Sequence, residues 1–209
     1  NTFDVDPAEK ERDELLSTKM AALQKFLLPE HMEIPPQFHN EEEWVLAQKN
    51  LLQINSYKAP RDKLVCILNT CRVISNLLAV STEEGGPPPG ADAFLPVLIY
   101  VTIKANPPNL AANLKYIERY RAESRLVSEA AYFFTNLVSA ASFIETMDAT
   151  SCAPHLDPEL FVRHMRDAQL LPPPPPDECG DLVPPSPVVV PATAAAAAAT
   201  AAAAGAEAG

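Results

Sequence analysis

Eleven consecutive residues, Ala93 to Ile103 (AFLPVLIYVTI), carry no charged side chain. A stretch that is apolar on every side has no face to offer water, so whatever it forms has to lie at the centre of the fold. Its β-branched and aromatic content would suit a buried strand, and pattern alone leaves strand and helix open. Context favours helix. The other segments all read as helical, no second strand is in sight to pair with this one, and Pro96 is tolerated in a helix that has it within the first turn.

Prolines and capping residues divide the rest of the chain. In DVDPAEKERDELLSTKMAALQKFL, Asp6, Pro7 and Glu9 stand as N-cap, first helical residue and third-position acid. Leu16, Met20, Leu23 and Leu27 follow at helical spacing, which predicts a helix ended by Pro29. A second helix starts at NEEEWVLAQKNLLQIN, with Asn40 as cap, three glutamates at the positive end of the helix dipole, and Trp44, Ala47, Leu51 and Ile54 as its apolar face. In APRDKLVCILNTCRVISNLLAV, the residues Leu64, Ile67, Leu68, Cys71, Ile74 and Leu78 hold the helical period for more than four turns, the mark of a deep core helix. STEEGGPPPGA then breaks all periodicity. Two further helices are expected in NPPNLAANLKYIERY and in SEAAYFFTNLVSAASFIETM, the latter capped by Ser128, and a last one opens at Asp157 and Pro158. Beyond Leu171 come five consecutive prolines and an alanine run without large apolar groups to dock it, so residues 172–209 are expected to form a disordered tail.

With 209 residues, 47% of them hydrophobic, the chain can bury one sizeable core but not two. The net charge of −11 lies at the ends: residues 1–43 hold 11 acids and 4 bases, residues 44–171 hold 12 of each, and the remainder holds 4 acids. Nothing resembles the basic stripe that a phosphate backbone requires, which argues against nucleic acid as a direct partner. Lys115, Arg119, Arg121 and Arg125, interleaved with Glu118 and Glu123, read as a solvated face, with a partner or lipid-headgroup contact as the alternative. Cys66, Cys71, Cys152 and Cys179 show no paired spacing, and a reducing cytosolic setting fits them. No secretory signal is visible at the start, and no apolar segment approaches the roughly 18 residues needed to span a bilayer. His31, His39, His155 and His164 lack metal-ligand spacing, so neither a metal nor a cofactor is expected. Hydrolase signatures and phosphate-cradling glycine loops are missing as well.

Two polar features remain. Asp92 stands at the threshold of the apolar stretch, where an aspartate usually caps backbone N–H groups. Tyr132 and Thr135, three apart on one helix, share a face and fit a polar seam in a helical core. Taken together, however, GADAFLPVLIYVTIKANPPNL, LKYIERYRAESRLVSEAAYFFTNLVSAASFIETMDA and YKAPRDKLVCILN closely resemble the Vps-nine (vacuolar protein sorting nine) domain, in its plant form. The resemblance covers roughly residues 8–170 and is densest from Tyr57 to Ala149. Members of that family are guanine nucleotide exchange factors for early-endosomal Rab GTPases.

The resemblance implies an all-α, layered helical domain at residues 44–171, with residues 1–43 as the end of an N-terminal helical bundle. It implies as partner a GDP-bound or nucleotide-free Rab GTPase, exchange without covalent chemistry, and a cytoplasmic protein recruited peripherally and indirectly to endosomal membranes. By match to the motif D-x-x-x-P, Asp92 falls on the family's aspartate finger and Pro96 on the proline that shapes the same helix start. In the motif Y-x-F-T, Tyr132 and Thr135 fall on polar residues that contact the GTPase beside the finger. Asn106 and Pro107 fall within an A-N-P segment, as a contact or as a structural turn. A GTPase holds GDP through a P-loop lysine and Mg²⁺, so an intruding carboxylate repels the β-phosphate, crowds out the metal and recruits that lysine. The alternative is a silent helical adaptor that binds the GTPase without expelling nucleotide.

Overall fold

Two of the helix starts are built by the caps that announce them. The Asn40 side chain accepts the N–H of Glu43 at 3.2 Å, and that of Asp157 accepts the N–H of Glu159 at 2.9 Å. In both, an orphan donor of the first turn finds an acceptor on the residue just before the helix. The computed structural model describes residues 7–82, 90–121, 129–148 and 156–173. The expected caps Asp6 and Ser128 and nearly all of the expected tail lie outside the described residues.

Seven α-helices occupy those residues: α1 (Pro7–Leu23), α2 (Glu41–Leu52), α3 (Pro60–Val80), α4 (Ala91–Ala105), α5 (Leu110–Tyr120), α6 (Glu129–Thr146) and α7 (Pro158–Asp167). The domain is all-α, and among the described residues there is no strand. The uncharged stretch is thus a helix. Every residue from Val97 to Ile103 is buried, and α4 packs against α2, α3 and α6. With hydrophobic side chains pointing in all directions, it is the element that the others cover.

Around it each helix contributes one apolar stripe. Trp44, Ala47 and Leu51 face inward from α2, and Ile54 continues the stripe into a short 3₁₀ turn, Gln53–Ser56. Along α3, Leu64, Ile67, Cys71, Ile74 and Leu78 are all at most 2% exposed. This helix is 21 residues long and apolar enough in composition to cross a bilayer, a length the sequence reading missed because Arg61, Asp62, Lys63 and Arg72 interrupt the run. Its apolar side is spent within the fold, against α2, α4, α5 and α6.

The course of α1 departs from expectation. It ends at Leu23, well before Pro29, and Phe26 and Leu27 stay buried after the chain has left the helix. Just past the helix end, the Gln24 side chain donates to the carbonyls of Ile103 and Lys104 at 2.9 Å each. Those are last-turn carbonyls of α4 that no intrahelical N–H reaches.

Several polar ties hold α1 in place, two of them through charged side chains paired across the fold. Arg12 forms a bidentate pair with Glu145 of α6 at 2.7 and 2.9 Å. The Asp13 carboxylate, 6% exposed, accepts the N–H groups of Ala111 and Ala112 at 2.7 and 3.0 Å and so caps α5 from another helix.

Candidate functional site

The head of α4 is built around Gly90. Its backbone is extended (φ −81°, ψ −176°), its carbonyl accepts the N–H groups of Ala93 and Phe94 at 3.2 Å each, and no side chain caps the helix. Asp92 is therefore not the cap expected from its position before the apolar run. It is the second helical residue, because the helix starts one residue earlier and the glycine carbonyl closes the first turn. Its carboxylate is exposed, and among the described residues no hydrogen bond or ion pair engages it. The positive end of the helix dipole favours a negative charge at that position.

Pro96 lies sixth in the helix, in the second turn rather than the first, again because α4 starts at Ala91. Lacking an N–H, it cannot bond the carbonyl of Asp92 four residues back. The turn that carries the acid is thus held by one helical bond fewer.

Phe94 connects this turn to α6. Its ring centroid lies 5.6 Å from that of Phe133 and 6.5 Å from that of Tyr132. On α6, Phe133, Phe134 and Leu137 take the inward positions, which leaves Tyr132 49% exposed and Thr135 exposed one turn further on. The two are therefore a surface pair and not a polar seam in the core. The start of α6 is fixed beside α3 by a bidentate pair between Arg72 and Glu129, at 3.2 and 2.7 Å. Asp92, Pro96, Tyr132 and Thr135 thus sit on the adjoining heads of two helices that pack together.

Asn106 and Pro107 stand elsewhere. Asn106 follows the far end of α4, and a rise of about 1.5 Å per residue puts it about 20 Å from Asp92. It takes a left-handed conformation (φ 42°) as the C-cap, which asparagine tolerates. Its side chain accepts from Ser17 Oγ at 3.2 Å and donates to the Ser17 carbonyl at 3.1 Å, while Pro107 is buried. Asn106 thereby joins α1 to the turn between α4 and α5. The structure brings neither Asn106 nor Pro107 to the group around Asp92.

Sequence reasoning passed over Gly90 and Phe94. Neither carries a polar signal, and the only clue to Phe94 was its place two residues after the acid. Among the described residues, no group of three or more His, Cys, Asp or Glu side chains gathers. The described histidines are engaged locally: His31 Nδ1 accepts the Leu28 N–H at 3.1 Å, His39 Nε2 lies 2.8 Å from the Ile34 carbonyl, and His164 stacks on Phe26 at 4.6 Å. What the site offers is an unengaged carboxylate at the head of α4, with an exposed aromatic hydroxyl and a threonine on the helix that packs beside it.

The Vacuolar sorting protein 9 (VPS9) domain matches residues 44–149. The vacuolar protein sorting-associated protein 9A of Arabidopsis thaliana is 59% identical over 160 residues, which are 75% of this chain and 30% of that protein. Its namesake in Oryza sativa subsp. japonica is 60% identical over 149 residues, covering 69% and 30%. The Rab5 GDP/GTP exchange factor of Mus musculus is 43% identical over 122 residues, covering 58% and 24%. The chain thus spans about a third of the length of the plant relatives it matches. With more than half of its residues inside the matched span, which runs from Trp44 in the first turn of α2 through all of α3 to α6, the chain belongs to the vacuolar sorting protein 9 (VPS9) domain family.

Proposed function

We propose that this chain is a guanine nucleotide exchange factor for early-endosomal Rab GTPases in endosomal and vacuolar vesicle traffic, and that Asp92 is the group that enters the nucleotide site. The observation that carries the reading is the exposed, unengaged carboxylate in the first turn of α4, beside Tyr132 and Thr135 on α6. A relative named for GDP/GTP exchange on Rab5 and two named for vacuolar sorting support it. Residues 44–171 carry the exchange activity, and residues 1–43 brace them.

In this reading the GTPase, GDP-bound or nucleotide-free, docks over the heads of α4 and α6. Asp92 approaches the β-phosphate and the Mg²⁺ position, where its charge repels the one and competes for the other. Tyr132 and Thr135 contact the GTPase beside it, and Pro96 fixes how the turn presents the acid. A charge pair about 4 Å apart at an effective dielectric of about 20 is worth roughly 4 kcal/mol. At tenfold in rate per roughly 1.4 kcal/mol, that corresponds to GDP release faster by on the order of a thousandfold. No bond is made or broken in the exchange, so positioning and charge carry all of it.

The test is release of fluorescent GDP from an early-endosomal Rab GTPase with the parent chain and with Asp92→Asn. The parent accelerates release, and the variant, still folded and still binding, loses most of the acceleration. A complex that forms without acceleration by either protein assigns the silent-adaptor role instead. Failure of both to bind rejects the GTPase partner.

A further inference from the structure

At the far end of α4 from Asp92, a cleft of about 470 Å³ opens between α1, the turn after α2, and α5. Lys10, Lys58, Lys63, Lys115 and Arg119 line it, against the carboxylates of Glu9 and Asp13. In a chain of 16 basic and 27 acidic residues, this is a local gathering of cations, of which Lys10 pairs with Glu14 at 3.8 Å and Lys115 with Glu118 at 3.2 Å. One of the two lining carboxylates is already committed, since Asp13 accepts the N–H groups of Ala111 and Ala112.

Lys63 is the unusual member. It is 8% exposed, and its ammonium donates to the Ile54 carbonyl at 2.8 Å and to Asn113 Oδ1 at 2.6 Å. Both acceptors are neutral, and among the described residues no carboxylate pairs with it. A buried ammonium with three N–H donors and no counter-charge is costly unless an anion comes from outside the chain. Its seat is fixed, because the Asn113 amide donates in turn to Asn55 Oδ1 and the Asn109 carbonyl at 2.8 and 2.7 Å. At the rim, Tyr57 and Tyr120 are 39% and 60% exposed, amphipathic rings of the kind that settle at a lipid–water boundary.

We propose that this cleft binds a multiply phosphorylated headgroup, with Lys63 at its floor and Lys58, Lys115 and Arg119 at its mouth. The volume falls in the range of small-molecule sites, and clustered Lys and Arg side chains are the groups that hold phosphate oxygens. Burial pushes the Lys63 ammonium below the usual lysine range, and a bound anion opposes that shift. The headgroup chemistry is shared by a membrane phosphoinositide and by a free inositol polyphosphate.

The experiment is calorimetric titration of the full chain with inositol tetrakisphosphate and with inorganic phosphate, beside flotation on phosphatidylcholine vesicles with and without phosphatidylinositol bisphosphate. The tetrakisphosphate binds at least about tenfold more tightly than phosphate, and Lys58→Ala with Arg119→Ala weakens it at least about tenfold, a loss of about 1.4 kcal/mol. Both side chains are exposed, so this variant folds even if Lys63→Met does not. Vesicle binding that needs the bisphosphate lipid assigns a membrane source, and soluble binding without flotation assigns a free polyphosphate. Either sustains the site. The proposal is overturned if the tetrakisphosphate binds no better than phosphate, or if the control variant Lys25→Ala with Lys49→Ala, outside the cleft, loses as much affinity as the cleft variant.

Discussion

At the scale of the residue, the unengaged state of Asp92 separates its stability role from its proposed functional one. With Gly90 as the cap, replacing Asp92 by asparagine removes no hydrogen bond described in the fold, only the attraction of a charge to the helix dipole. That attraction is worth about 0.3–1 kcal/mol at an exposed position. Urea unfolding of Asp92→Asn should therefore show a loss of no more than about 1 kcal/mol, and a loss of several would mean that the carboxylate serves the fold. The thiols behave in the opposite way. Burial pushes Cys66 up to about 11 and Cys71 higher still, and Cys66 also donates to the Asn50 carbonyl at 2.7 Å. At neutral pH both are protonated and inaccessible. Labelling followed by mass spectrometry should find neither modified in the folded chain and both modified in denaturant, with reaction at Cys66 before unfolding contradicting its burial.

At the scale of the element, local signals read well and relayed ones did not. Asn40 and Asp157 cap the helices they precede because a cap and its N–H groups lie within three residues of each other in sequence. The α5 start carries no such signal: Asn109 is left-handed (φ 56°) and makes no side-chain cap bond, and the acceptor is Asp13, some hundred residues away. The ties at the end of α1 are relayed in the same way, since the Gln24 side chain donates to carbonyls of α4 some eighty residues away. The site was legible for the same local reason. Asp92 and Pro96 lie four apart on one helix, and Tyr132 and Thr135 share one face, but their approach through Phe94 is tertiary, and so is the convergence of Lys58 and Lys63 with Lys115 and Arg119. A remote cap makes a sharp forecast. Asp13→Ala leaves the buried Ala111 N–H and the part-buried Ala112 N–H without their acceptor, at about 1–3 kcal/mol for the buried group and less for the other, so the variant should lose about 2–4 kcal/mol in denaturant unfolding. Asp13→Asn, which keeps one acceptor oxygen, should lose less.

At the scale of the whole molecule, the span that matches the family and the unit that folds are different lengths. Residues 44–149 hold most of α2, all of α3 to α6 and every residue proposed to meet the GTPase, yet α1 closes the same core. Leu16, Met20, Leu23 and Leu27 are at most 2% exposed, and at about 1.5–3 kcal/mol for each buried side chain they contribute about 6–12 kcal/mol. That is comparable with the roughly 5–15 kcal/mol by which a domain is stable at all. The same helix supplies the Asp13 cap of α5, the Ser17 contacts of Asn106 and the Arg12 pair with Glu145, while α7 lays Phe161 edge-on to Phe26 at a centroid distance of 6.2 Å. A fragment limited to residues 44–149 should therefore lack a cooperative thermal transition by circular dichroism, whereas residues 7–173 should retain one. A cooperative transition in the shorter fragment close to that of the longer one would show that α1 and α7 rest on a core already complete without them. Its absence would mean that the carboxylate at the head of α4 is held in place by segments outside the family's matched span.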